Sequence, residues 1–305
     1  MATEGSPQSP PTRSGFVAIV GAPNVGKSTL LNQLLGAKVA IVTPKPQTTR
    51  RQIRGILTGE NYQLVFVDTP GIHESSRPLN KALLRSALEA ISQVDLCLFL
   101  VDVTRRRPAE ELAILDNLAK AGKPVLLLLN KVDLVAKETL LPLIDDMKDI
   151  FPFEAIIPIS AYHGEGLELV LDEVLRLIPE GPFFYEGALL TDQTREVLAA
   201  ELIREKIFLF ADQEVPYATA VEVEDIGRDP NGKLHVQATI FVEKPSQKGI
   251  IIGKEGRFIR RVRKDAEREL SAIWKEPTTV QLWVKVLKDW SRDARSLKRF
   301  GLVSR

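Results

Sequence analysis

A short apolar run at residues 16–20 leads without a break into Gly21-Ala-Pro-Asn-Val-Gly-Lys-Ser28. The pattern G-x-x-x-x-G-K-[ST] is useful where a strand delivers a tight turn to the start of a helix. There backbone N–H groups can wrap a polyphosphate, and a Cβ at the tight positions would block the approach. A helix beginning near Lys27 aims its positive end at the same charge. Lys27 is expected to reach the β- and γ-phosphates and Ser28 to ligate Mg²⁺. The cradle then comprises Gly21, Ala22, Pro23, Asn24, Val25, Gly26, Lys27, Ser28 and Thr29.

The rest of residues 15–178 agrees with that demand. Apolar runs at 64–67, 96–101, 125–129 and 156–159 are each followed by a turn and an amphipathic stretch. Short continuous apolar runs alternating with helical patterns predict an α/β domain, a mostly parallel sheet flanked by helices. Residues 38–58 read as a mobile loop entering an edge strand at 52–57. Asn130-Lys-Val-Asp133 stands at the carboxyl end of the 125–129 run, where an open parallel sheet binds ligands. The Asp133 carboxylate can accept both N1–H and the exocyclic amine of guanine, whereas adenine would leave it unpaired. A site built on such bonds rejects the wrong ligand by roughly 10⁴-fold. Ser160 and Ala161, after the 156–159 run, are expected to offer backbone N–H groups to guanine O6.

Asp68-Thr-Pro-Gly71 closes the 64–67 run. Asp68 can hold Mg²⁺ through water, and the Gly71 N–H can sense a γ-phosphate; Thr69 and Pro70 complete this nucleotide-binding turn. Gln47-Thr-Thr-Arg50 lies in the loop between the two phosphate elements. A threonine there can complete the Mg²⁺ shell only while the triphosphate is present, so hydrolysis would release the segment.

The ordered set GAPNVGKS, DTPG, NKVD and SA resembles the P-loop GTPases. With QTTR between the first two, its spelling is similar to the Era family of the TrmE–Era branch. That resemblance implies GTP and GDP as ligands and GTP hydrolysis as the reaction. It also implies Thr49, rather than Thr48, as the switch threonine on Mg²⁺. Lys27, Thr49, Gly71 and Asn24 are then the catalytic set, with Asn24 helping to hold an activating K⁺ beside the phosphates. One departure stands out. Ras-like relatives carry glutamine after the glycine of DxxG, and this chain has Ile72, which cannot orient water. Slow intrinsic hydrolysis is expected, with no arginine finger identifiable by spacing. His73 is not needed as a general base, because phosphoryl transfer relies on positioning more than on proton abstraction.

Beyond residue 178 the grammar changes. Pro179, Gly181, Pro182 and Gly187 interrupt any period, marking a linker at 179–192. Residues 193–305 follow the order helix, strand, strand, helix, Gly253-Lys-Glu-Gly256, helix, strand, then a basic helix. Two glycines admit a nucleic-acid backbone, and Ile250, Ile251 and Ile252 would floor the cleft. This resembles a type II KH domain, an α+β module whose GxxG loop clamps about four nucleotides. Ile252, Gly253, Lys254, Glu255, Gly256, Arg257, Arg260 and Arg261 are the implied RNA-binding residues. The chain from Lys248 onward carries a net charge of +9 in a protein of net +1, which suits a polyanion partner. The family resemblance implies the 3′ region of 16S ribosomal RNA, in assembly of the 30S subunit.

Other classes fit less well. The lone Cys97 sits in an apolar run and reads as buried filler, in a chain without disulfides suited to a reducing cytoplasm. The longest apolar runs are too short to span a bilayer. Residues 1–14, rich in Pro, Ser and Thr, read as a disordered leader without a secretory signal. A monomer is expected. A membrane-associated signalling GTPase docking its basic C-terminal segment and Trp290 on anionic lipid is the alternative, and relatives are described as peripherally associated with the inner membrane. Lipid has no use for two glycines in the GxxG break. A tRNA-modifying enzyme of the TrmE kind would need a long N-terminal cofactor domain and a cysteine near the C-terminus, which this chain lacks.

Overall fold

The computed structural model describes residues 12–71, 78–230 and 232–303. Ile72 and His73 lie outside them, as do residues 1–11 of the expected leader. In chain order the first part runs β1 (Arg13–Gly21), α1 (Lys27–Leu35), β2 (Ile53–Thr58), β3 (Tyr62–Asp68), α2 (Pro78–Gln93), β4 (Leu96–Asp102) and α3 (Pro108–Ala121). It ends with β5 (Val125–Asn130), α4 (Leu140–Lys148), β6 (Ala155–Ile159) and α5 (Leu167–Leu177). The strands form one sheet in the order β2-β3-β1-β4-β5-β6, parallel except for β2 at the edge. Both faces are covered, which is why the strands are continuously apolar and not alternating. Val17, Ile19, Leu96, Leu98, Leu126 and Leu128 pack with α1 and α5 on one side. Ala18, Val20, Cys97, Phe99, Leu127 and Leu129 pack with α2 and α3 on the other. Cys97 is fully buried, and burial pushes its thiol up to about 12, an inert core side chain.

The second part holds α6 (Arg195–Phe210), β7 (Thr219–Arg228), β8 (Leu234–Val242), α7 (Pro245–Ile252), α8 (Arg257–Trp274), β9 (Thr278–Val286) and α9 (Ala294–Arg299). Its sheet runs β7-β8-β9, antiparallel then parallel, the α+β order expected from the sequence. Val262, Ala266 and Leu270 of α8 form the buried stripe against α6 and this sheet.

Three expectations need correction. Arg13 and Ser14, assigned to the leader, open β1, because Arg13 pairs with Tyr62 in β3 and is bridged to Glu180. Residues 179–192 are no free linker: Phe184 and Tyr185 N–H donate to Gln63 Oε1, and Ile56 N–H donates to Leu190 O at 2.9 Å. Trp290, offered as a membrane anchor, is completely buried and donates its indole N–H to Ala218 O at 2.9 Å. It sits with Phe241, Leu297 and Phe300 against Leu79 and Leu83 of α2, in a core shared by the two domains. An indole with both its apolar body and its N–H engaged has nothing left for lipid.

Trp290→Ala therefore removes a large buried side chain and leaves the Ala218 carbonyl unpaired. It is expected to lower stability by about 3–5 kcal/mol in urea unfolding followed by far-ultraviolet circular dichroism. A loss below about 1 kcal/mol would show that the shared core is not tightly packed.

Candidate functional site

The loop from β1 to α1 turns at Gly26, whose φ of +104° is one that side chains rarely adopt. A Cβ there would stand 2.3 Å from Asn130 Nδ2, so glycine is required by contact as well as by conformation. Asn130, almost fully buried at the end of β5, explains the closeness. Its Nδ2 donates to Val25 O at 2.7 Å, and its Oδ1 accepts from Ala161 N–H at 2.9 Å. One amide thus joins the phosphate loop, the NKVD turn and the Ser160-Ala161 turn. Lys131 adds a second tie, donating to Asn24 O at 3.0 Å and pairing with Asp102 at the end of β4 at 2.5 Å.

Two cavities meet at this knot. One, of about 510 Å³, is lined by residues 23–29, by loop residues including Thr48 and Thr49, and by Gly71 and Lys131. The other, of about 440 Å³, is lined by Gly26, Thr29, Asn130, Lys131, Asp133, Ala161, Tyr162 and His163. Gly26, Thr29 and Lys131 line both, so one elongated ligand could place phosphates in the first and a base in the second. The Asp133 side chain lines the base cavity, with His163 Nε2 at 3.8 Å from Oδ2. The Ser160 and Ala161 N–H groups, expected to meet guanine O6, already donate to Glu165 O and to Asn130. Ala161 N–H serves the buried Asn130 oxygen, which needs a donor, and Ser160 N–H closes its turn onto Glu165 O.

On the phosphate side, Lys27 Nζ lies at 3.0 and 2.9 Å from the Gly21 and Ala22 carbonyls. Burial pulls its ammonium down to about 8, with Asp68 opposing the shift. Thr69 fastens the Asp68 turn by donating to Ile19 O at 2.8 Å. Ser28 Oγ donates to Asp68 Oδ2 at 2.6 Å and lies 2.9 Å from Thr49 Oγ1, which itself donates to Asp68 Oδ2 at 3.3 Å. Thr48 points elsewhere, its hydroxyl on Thr43 Oγ1 and Lys45 O. Asp68 is fully buried, and burial lifts its carboxyl to about 6 against the pull of Lys27, Ser28 and Thr49. Its Oδ1 has no hydrogen-bond partner among the described residues. Three hard oxygen donors around an incompletely compensated carboxylate suit a small divalent cation, and Mg²⁺ fits Ser28, Thr49 and, through water, Asp68.

The segment read as a mobile loop is in fact held. Ile41 is part of the second domain's core, and Thr48, Thr49 and Arg50 are buried. Some 200 residues along the chain, α7 ends at Gly253, whose φ is +72° and whose Cβ would lie 2.7 Å from that of Phe258. Lys254 and Glu255 of the turn are exposed and Gly256 is half-buried, and Arg260 closes the turn by donating to the Glu255 carbonyl. Ile250 and Ile252 are exposed beside it, whereas Ile251 is in the core, so only two of the three isoleucines face the cleft. Arg257 pairs with Glu255, and Arg261 lies over the Phe210 ring at 3.8 Å.

Comparison with known proteins matches both domains. A family model described as a 50S ribosome-binding GTPase matches residues 16–131, and a KH-domain model matches 214–291. The GTPase Era of Syntrophus aciditrophicus (strain SB) is 46% identical over 290 residues, 95% of each chain. This chain belongs to the Era family of GTPases. The GTPase Era of Geobacter metallireducens is 47% identical over 292 residues, 95% of this chain and 98% of that one. A variant of Aquifex aeolicus Era bound to GDP and AlF₄⁻ superposes with a TM-score of 0.93 at 36% identity, covering 96% of this chain and 100% of that chain. An Era complex with MgGDPNP and nucleotides 1506–1542 of 16S ribosomal RNA gives 0.93 at 37% identity, with the same coverage.

Within this Era-family chain, the sequence did not reveal Asp102, Arg204 or the contacts of Arg50. Asp102 alone left a signal, as the only acid closing the apolar 96–101 run. If Asp133 selects the base, Asp133→Asn presents a donor where guanine presents donors. GTP affinity is expected to fall by roughly a hundredfold or more, while xanthosine triphosphate, with a carbonyl at C2, becomes the better ligand in calorimetric titration. Retained preference for GTP would misplace base recognition.

Proposed function

We propose that this chain is a GTP-driven switch that grips the 3′ region of 16S ribosomal RNA during assembly of the 30S subunit. The carrying observation is the pairing, in one chain, of the Ser28–Thr49–Asp68 cluster with an exposed GxxG turn opening a basic helix. The Era complex holding MgGDPNP and a 16S fragment supports the choice of RNA. GTP lies with its phosphates along residues 21–29 and its base against Asp133. Lys27 and the helix start at α1 receive the charge that builds on the β–γ bridge. Thr49 and Gly71 meet the γ-phosphate only while it is present, and their release on hydrolysis resets the loop. Ser28, Thr49 and, through water, Asp68 would hold Mg²⁺, which would supply neutralisation of phosphate charge. On this reading the protein works in the cytoplasm as a monomer, and the face of Arg257, Arg260 and Arg261 meets RNA in place of anionic lipid. No helix of the described residues is long and apolar enough to cross a membrane.

K⁺ joins the site through Asn24. The Asn24 amide nitrogen donates to Pro44 O at 2.9 Å, so what it offers a ligand is its carbonyl oxygen, an atom type suited to an alkali cation. Steady-state hydrolysis is expected to run faster in K⁺ than in Na⁺ at equal ionic strength, and Asn24→Ala to erase the difference. Equal rates for the wild type in the two salts would remove the ion from the mechanism.

Replacing Gly253 and Gly256 together with Asp puts side chains and negative charge where the RNA backbone approaches. RNA binding is expected to vanish in titrations with a 16S 3′-end fragment, with GTP and GDP affinity intact. Unchanged RNA affinity in the folded variant would refute the KH reading. Parallel titration with vesicles rich in anionic lipid decides the alternative: tighter binding to vesicles than to RNA would reverse the assignment of partner.

A further inference from the structure

The two neighbours of Thr49 are both held by the other domain. Arg204 of α6 donates to the Thr48 carbonyl. Arg50 reaches into the turn before β7, donating to the carbonyls of Thr219 at 2.8 Å, Tyr217 at 2.9 Å and Pro216 at 3.3 Å. Thr49, between them, carries the hydroxyl that meets Ser28 and Asp68. With the residue on each side fixed, the placement of that hydroxyl is set largely by α6 and the β7 turn. The same helix holds the start of the loop, since Glu205 accepts from Val42 N–H at 2.9 Å and pairs with Lys38 at 2.8 Å.

The Arg204 guanidinium is itself pre-set. It is almost fully buried, stacks 5.3 Å from the Phe208 ring centroid, and is paired with Glu201 one turn back on α6. Such a rigid planar fork holds a carbonyl in one place better than a flexible amine could. A glue between domains could use any exposed part of the loop. Here the bond falls on the backbone beside the metal-facing residue.

We propose that Arg204, in the KH half of the chain, is a positioning residue for GTP hydrolysis that acts by seating Thr49 at the magnesium site. This rests on reading Thr49 as a magnesium ligand. The domain that binds RNA thereby supplies part of the nucleotide switch, and a shift of α6 is felt at the γ-phosphate without any residue of α6 touching nucleotide.

The test measures single-turnover GTP hydrolysis against Mg²⁺ concentration for the full chain, Thr49→Ala, Arg204→Gln and the double variant. Arg204→Gln is expected to slow hydrolysis by roughly ten- to a hundredfold and to raise the Mg²⁺ needed for half-maximal rate, leaving affinity for a fluorescent GDP unchanged. In the Thr49→Ala background it should cost nothing further. Losses that multiply, or an unaltered Mg²⁺ dependence, overturn the proposal. Should Arg204→Gln fail to fold with Glu201 left unpaired, the paired change Glu201→Leu with Arg204→Met removes both charges; wild-type Mg²⁺ dependence in that folded protein overturns the proposal equally. A normal Mg²⁺ dependence in Thr49→Ala alone would instead bring down the ligand reading, and this inference with it.

Discussion

Asp68 is buried with one oxygen that meets no hydrogen-bond partner among the described residues, and the site is organised around that fact. A carboxylate removed from water is costly unless opposite charge and hydrogen bonds compensate it. Lys27 supplies part of the charge and Ser28 and Thr49 supply hydroxyls, yet the carboxyl still sits at about 6. A small cation that binds through oxygen would complete the compensation. The pieces that bring it close come from separate elements: Ser28 opens α1, Asp68 ends β3, and Thr49 lies in a loop with no regular structure of its own. The first two are built into the sheet and its first helix. The third must be brought in, so it is the natural point at which nucleotide state and conformation meet.

Asn130 does for the base cavity what Asp68 does for the phosphates. A buried amide must satisfy both its ends, and here its donor takes Val25 O while its acceptor takes Ala161 N–H. Three loops from distant parts of the chain are thereby kept in one register. Gly26 follows as a consequence, because only a residue without Cβ leaves room for that amide. Recognition of guanine and grip on phosphate are mechanically one structure, with Lys131 lining both cavities.

What could be read from sequence was whatever the chain encodes locally. The phosphate loop, the NKVD and DTPG turns, the apolar strands and the GxxG break are contiguous strings with one physical purpose each. The order of elements in both domains could be read in the same way, as could an edge strand at 52–57, though not its antiparallel direction. What could not be read was long-range. Arg50 in a polar loop looks like any solvated arginine, and nothing near it announces carbonyls 166 to 169 residues away. Trp290 among lysines and aspartates resembles a surface anchor until α2 and Phe300 close over it. Pro179 to Asp192 looks like a tether because Pro and Gly break its period, although Gln63 pins it to β3. Nor could periodicity say that the Ser160 and Ala161 N–H groups meet Glu165 O and Asn130 Oδ1.

The clasp around Thr49 is strong in hydrogen bonds and poor in electrostatics. Burial, and next the neighbouring Arg204, pull the Arg50 guanidinium down to about 9, with Glu201 among the carboxylates opposing them. Among the described residues, Arg50 Nε and Arg204 Nη1 have no hydrogen-bond partner. Removing two cations from water is repaid only when their hydrogen bonds are complete, and here each leaves one donor unmet. Such an interface holds its geometry while closed, but it stores a cost that separation in water would relieve. That combination favours two discrete arrangements over gradual loosening. The closed one seats Thr49 and packs Ile41 into the KH core; an open one would free the loop, expose Arg50 and Arg204, and release α6. Because α6 packs against α8, the helix that carries Arg257, Arg260 and Arg261, the same opening would be felt at the GxxG turn. On the proposed reading, nucleotide state and RNA grip would be two readouts of one interface, linked through backbone carbonyls and not through any ligand that both sites share.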